Sequence, residues 1–172
     1  MGKQVILYFV IVLFLTGCDR EEEENSINVM VFSGLPFSLE DSMYSYFDSV
    51  EYDEELDINV KMFLPSREKL IIEMVAREGD IYLVEDFMFP IIFDPVILHP
   101  LDSIAFHVDE EKQHVGENEQ TGEENIYAIT VNGDAKLFQE LGVNVSTDFV
   151  AVMMEDTPSH SYGLKLMEAI VN

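Results

Sequence analysis

Ile58–Val84, INVKMFLPSREKLIIEMVAREGDIYLV, holds a strand, a helix and a second strand with almost nothing between them. Ile58 to Leu64 is rich in branched apolar residues and stops at Pro65, which cannot donate to a sheet ladder. Ser66 stands where a helix needs a cap. Leu70, Ile71, Met74 and Val75 then recur at helical spacing as an apolar stripe, and Gly79 falls where a left-handed C-terminal cap is usual. Asp80-Ile81-Tyr82-Leu83-Val84 is apolar without alternation, the pattern of a strand covered on both faces.

The stretch before it repeats the plan. Ile27–Phe32 is a strand by its branched and aromatic content, broken by Ser33-Gly34-Leu35-Pro36. Ser38 with Asp41 makes a capping box, and Leu39, Met43, Tyr46, Phe47 and Val50 share one helical face, with acidic Tyr52–Asp57 as the loop that follows. Strand, helix, strand, helix, strand with short loops predicts parallel pairing through right-handed crossovers, hence an α/β fold with a single doubly wound, mostly parallel sheet. Ligands of such sheets sit beyond the carboxyl ends of the strands. Here those ends are Ser33-Gly34 and Glu85-Asp86-Phe87.

Downstream, Phe87–Leu101 is apolar and punctuated by Pro, which predicts a short helix and then a buried turn near Pro95–Pro100. Residues 109–125 turn acidic and polar with two glycines, and a mobile excursion is expected there. Ile126–Val131 predicts a strand, Leu137, Phe138 and Leu141 a short helix ended by Gly142, and Phe149–Met154 another strand. Ser159 opens a last helix carrying Leu164, Met167, Ala169, Ile170 and Val171. The whole of 27–172 is expected to be one domain.

The N-terminus reads differently. Lys3 precedes the apolar run Val5–Leu15, and Leu15-Thr16-Gly17-Cys18 is followed by Asp19-Arg20-Glu21. That order is a secretory signal, and the run is shorter than the roughly 18 apolar residues of a membrane-spanning helix. Its ending resembles the bacterial lipoprotein signal. The resemblance implies cleavage after residue 17, a diacylglycerol on the sulfur of Cys18 and, in the full modification, an acyl chain on its amine. Residues 18–26 then form an acidic tether, since a run of like charges stays extended and solvated.

Charge narrows the partners. The chain has 9 basic and 34 acidic residues, a net −25, and losing Lys3 with the signal leaves 8 against 34, or −26. Such a surface repels nucleic acid and anionic headgroups, so attachment to the cell membrane on its extracytoplasmic face is expected through lipid. The 155 residues left after removing 17 from 172 can bury a real core. With Cys18 as the single cysteine, no disulfide supports it.

Beyond the signal, INVKMFLPSREKLIIEMVAREGDIYLVED and VILHPLD resemble the N-terminal lobe of extracellular solute-binding proteins of carbohydrate-uptake ABC transporters, a type 2 periplasmic-binding fold. Leu98-His99-Pro100-Leu101-Asp102 matches that family's Leu-x-Pro-Leu-Asp phrase, and NIYAITVN resembles a further strand, with Thr130 in place of the usual Pro. The resemblance implies a small, half-length relative, because family members are about twice this long and enclose their ligand between two lobes. It implies carbohydrate uptake, an oligosaccharide ligand and an ABC permease as partner. The alternative is a ligand-free interaction protein that contacts a permease, a sensor or a second copy of itself.

Three constellations could carry chemistry. Ser66-Arg67-Glu68-Lys69 fits S-x-x-K, but neither S-D-N nor K-T-G accompanies it, and helix capping explains Ser66 in full. His107, Asp109, Glu110, Glu111 and His114 crowd one acidic stretch at no compact metal-ligand spacing, with His99 and His160 distant in sequence, so a solvated charge run is the expectation. Phe37, Tyr44, Phe87, Phe89 and Phe93 could stack on a sugar, although aromatic residues at helical spacing more often build core. Phe37, Glu85, Asp86 and Phe87 lie where the fold would hold a ligand. No catalytic residue, metal or cofactor is expected.

Overall fold

A computed structural model describes residues 26–52 and 56–171. The signal, Cys18 and all of the tether except Ser26 lie outside them. Six strands form one sheet: β1 Ser26–Phe32, β2 Asp57–Phe63, β3 Ile81–Glu85, β4 Gln113–Glu117, β5 Glu124–Val131 and β6 Phe149–Met153. Their order is β2-β1-β3-β6-β5-β4. β1 pairs in parallel with β2 and β3, as the strand-helix-strand pattern predicts, while the β3–β6, β6–β5 and β5–β4 pairs are antiparallel. Consequently β1, β2, β3 and β5 run one way, and β6 and β4 return.

Alternation along these strands feeds two cores. Val29, Val31, Ile81, Leu83, Ala151 and Met153 enter the first, covered by helix α1 (Glu40–Asp48) and the last helix; Met30, Phe32, Tyr82, Val84, Val150 and Val152 enter the second. The second is covered by α2 (Arg67–Ala76) through Leu70 and by Met88 and Ile92, the latter on α3 (Phe89–Ile92). The remaining helices are α4 (Asp102–Ala105), α5 (Lys136–Glu140) and α6 (His160–Val171). Helices on both faces are what an apolar, non-alternating β3 requires.

Several local expectations change. Ser38 makes no capping box: Phe37–Leu39 is a 3-10 turn, α1 starts at Glu40, and no side chain caps it. Glu40 instead accepts the backbone N–H of Met62 at 2.9 Å, tying α1 to the exposed edge of β2. On α2, Ser66 caps as predicted, its Oγ accepting the Lys69 N–H at 3.3 Å. The apolar stripe does not all turn inward, however. Leu70 is buried and Met74 half-buried, whereas Ile71, Ile72 and Val75 are 40, 58 and 80 % exposed. Glu73 takes the inward place they leave, neutralised by its ion pair with Lys69.

Gly79 is not the cap. Arg77 adopts the left-handed conformation (φ 54°, ψ 42°) that closes α2. Gly79 is required for space: a Cβ there would lie 2.5 Å from Met30 Cγ and 2.7 Å from Tyr82 Cζ, both fully buried. The acidic stretch 109–125, expected as a mobile excursion, instead carries a 3-10 turn, edge strand β4 and a tight turn at Gly122 (φ 73°) that leads into β5. Its acidity belongs to the solvent side of a hairpin, with a bulge between His114 and Val115 that breaks the edge pairing.

Gly79→Ala is expected to lower stability by about 1–3 kcal/mol, since overpacking must displace a buried ring. At about 2–4 °C per kcal/mol for a domain of this size, the melting midpoint falls by roughly 3–10 °C. Arg77→Gly relieves the left-handed backbone at the cost of an exposed ion pair to Asp156, and leaves the midpoint unchanged or higher. Thermal unfolding of both variants checks this, and the opposite ranking would return the cap to Gly79.

Candidate functional site

β1 and β3 lie side by side and end together, with Phe32 opposite Val84. The chain leaving β1 crosses to the first core through α1, and the chain leaving β3 crosses to the second through Met88 and Ile92. Loops that diverge to opposite faces from neighbouring parallel strands open a crevice, the switch point at which α/β sheets hold ligands.

The predicted residues Phe37, Glu85, Asp86 and Phe87 all stand on this rim. The Gly34 N–H donates to Glu85 Oε1 at 2.6 Å and so joins the two loops. Phe37 (53 % exposed) and Phe87 (65 % exposed) follow that tie along the two loops, three residues beyond Gly34 and two beyond Glu85. The Asp86 N–H donates to the backbone oxygen of Asp148, whose Oδ1 accepts from Asn132 Nδ2 at 3.1 Å. Asp148 and Asn132 therefore belong to the same rim, brought there by β6 and by the end of β5. Nothing in their local sequence marks them, because their place depends on a strand order that has no local signature.

The loops of this rim carry three carboxylates, Glu85, Asp86 and Asp148, and two exposed aromatic rings. Carboxylates accept hydrogen bonds from hydroxyls and repel anions, and aromatic faces stack on apolar ring surfaces. Of the other rings, Phe89 and Phe93 pack on each other at 4.8 Å and against the second core, while Tyr44 is exposed on α1. A separate concavity of about 320 Å³ lies on the first-core face, lined by Tyr46, Lys136, Lys165 and Glu168 among others.

Ser66 and Lys69 are occupied in ways that suit a helix start. The Ser66 hydroxyl lies 3.2 Å from Glu68 Oε2, and Lys69 pairs with Glu73 and sits 4.8 Å above the Phe63 ring. The five residues of the acidic stretch gather no ligand set among the described residues. His107 lies against Phe106 at the surface with the two rings tilted 48° to each other, and His114 turns toward Phe89 (4.4 Å between rings) and bonds Thr130 Oγ1 at 2.8 Å. His99 and His160, distant in sequence, are the pair that the fold brings together.

The chain is 25% identical over 158 residues to "Putative lipoprotein YteS" of Bacillus subtilis (strain 168), covering 90% of this chain and 89% of that protein. The likeness is to a small bacterial lipoprotein. It agrees with the signal ending at Cys18 and says nothing of solute binding or carbohydrate uptake. No family model matches the chain, and no solved structure does. Among the described residues no helix is long and apolar enough to cross a membrane.

Burial holds the His114 imidazole below its ordinary pKa, against the pull of the Asp86 carboxylate. The folded protein therefore takes up this proton later than the unfolded chain. Its contribution to stability is full above about pH 6.5 and is lost as the pH falls from there through the folded value. Melting midpoints at pH 7.5 and 5.5 are expected to drop less in His114→Gln than in the wild type; equal drops would contradict the assignment.

Proposed function

We propose that the protein is a lipid-anchored accessory lipoprotein on the extracytoplasmic face of the cell membrane, whose single α/β lobe presents a binding rim for a neutral oligosaccharide during carbohydrate uptake. The observation that carries this reading is that the loops joined at the switch point bear two exposed rings, Phe37 and Phe87, and the acceptors Glu85, Asp86 and Asp148. Faces for stacking and carboxylates for hydroxyls are the two elements of sugar recognition, and three negative charges disfavour acidic sugars. The rim is one open wall, so affinity is modest and delivery to an ABC permease is the fitting role. No covalent step is assigned.

A second reading rests on α2. Ile71, Ile72 and Val75, from 40 to 80 % exposed, form an apolar stripe on the outside of this helix, and Leu64, just before it, is 61 % exposed. Such a stripe suits contact with a permease, a sensor or another copy of the chain without any ligand.

Thermal unfolding of the detergent-extracted protein with neutral oligosaccharides tests the first reading. A ligand at about 100 times its dissociation constant adds about 2.7 kcal/mol, hence roughly 5–10 °C. Phe37→Ala and Phe87→Ala remove that shift and leave the ligand-free midpoint within about 2 °C, since both rings are exposed. No shift with any sugar, together with crosslinking from Ile72 to a permease subunit in cells, would favour the second reading. Intact mass of the same extract is expected to show a chain beginning at Cys18 with a diacylglyceryl group, and a Cys18→Ser protein cut at the same bond and still membrane-bound would remove the anchor from either.

A further inference from the structure

We propose that His99, Glu155 and His160 form a binding site for a divalent transition metal, with zinc the fitting ion. The three come from the Pro-rich segment, the chain just after β6 and the first residue of α6. Backbone pairing sets the first two: Leu98 bridges Met154, the His99 N–H donates to Met153 O at 2.8 Å, and the Glu155 N–H donates to Ile97 O at 2.9 Å. That fork puts His99 Nδ1 2.9 Å from Glu155 Oε2. α6 then begins with His160, whose ring stacks on His99 with centroids 4.1 Å apart and planes 27° from parallel. One ligand atom from each of the three residues lies within 4.8 Å of the others.

The donor set suits the ion. Metal-ligating histidines commonly give their second ring nitrogen to a carbonyl, which fixes the tautomer. His160 does this, with Nε2 2.9 Å from the backbone oxygen of Glu155, and Nδ1 is left to ligate. Ligand atoms around a tetrahedral zinc stand about 3.4 Å apart. The present spread closes by rotation of side chains, and Glu155, 56 % exposed, is free to swing. Two imidazoles select zinc, copper or nickel over magnesium and calcium, and three protein ligands leave a fourth position for water or a partner's side chain. The strongly acidic chain raises the local concentration of cations.

This site is separate from the switch point. β6 runs opposite to β3, with Met153 beside Ile81 and Phe149 beside Glu85, so the cluster lies about 20 Å along the strands from the rim. A bound ion would clamp the start of α6 to the Pro-rich segment and to β6, coupling the stability of the domain to metal supply.

Calorimetric titration of the metal-free, detergent-extracted protein with ZnCl2 is expected to show one tight equivalent. His99→Ala and His160→Ala each weaken it at least tenfold, and the double variant abolishes it. Glu155→Gln, at an exposed position that leaves the fold intact, must also weaken zinc at least tenfold, so the proposal stays testable if the histidine variants unfold. Zinc raises the melting midpoint of the wild type, and MgCl2 at the same concentration does not. No stoichiometric uptake, or the same uptake in a folded double variant or in Glu155→Gln, overturns the site.

Discussion

The structure depends on β6. All five residues of Phe149–Met153 are buried, with Phe149, Ala151 and Met153 facing one core and Val150 and Val152 the other. Fully burying a large apolar side chain is worth about 1.5–3 kcal/mol, so few short segments contribute more. β6 pairs with β3 over Ile81–Glu85 and with β5 over Ile129–Val131. Without it the parallel unit would end in an open edge at β3, and the hairpin of β4 and β5 would have no sheet to join. Its two ends also place the chemistry: Asp148, just before it, ties Asp86 and Asn132 into the rim, and Glu155, just after it, reaches His99.

The parallel half was legible because its information is local. A Pro-Ser stop, a helical turn and an apolar strand in under thirty residues admit one arrangement, and the ends of β1 and β3, where the loops bearing Phe37, Glu85, Asp86 and Phe87 begin, follow from it. The order of the other strands was hidden, because β6 takes its place by pairing with β3 across many residues of intervening chain. Composition misled at 109–125, where one solvent-facing side of an edge hairpin has the residue content of a disordered loop. Periodicity misled on α2, where Leu70, Ile71, Met74 and Val75 fit a buried stripe but only Leu70 is fully covered, the inward turn being shared with Glu73 and its Lys69 partner. His99 and His160 looked unrelated for the same reason that the position of β6 was hidden: both depend on pairing between distant segments.

What the molecule offers to partners is spread over its exterior. The described residues build one lobe around two cores, so the surfaces proposed for recognition lie on its outside: the open rim at one end of the strands, the histidine cluster at the other and the apolar residues of α2. An acidic surface keeps such a domain away from anionic headgroups, and the lipid proposed on Cys18 would supply the attachment that charge opposes. Each surface is borne by a different element, and each element is held by the sheet that β6 completes.

Native-state hydrogen exchange tests that dependence most directly. Amides of β3 and β6, such as Leu83 and Ala151, are expected to exchange slowest and only through global unfolding, with those of β5 at Ile129–Val131 close behind. Exchange of β6 in a low-energy opening that leaves β1, β2 and β3 protected would contradict the account, since the parallel half would then stand without the strand said to complete it.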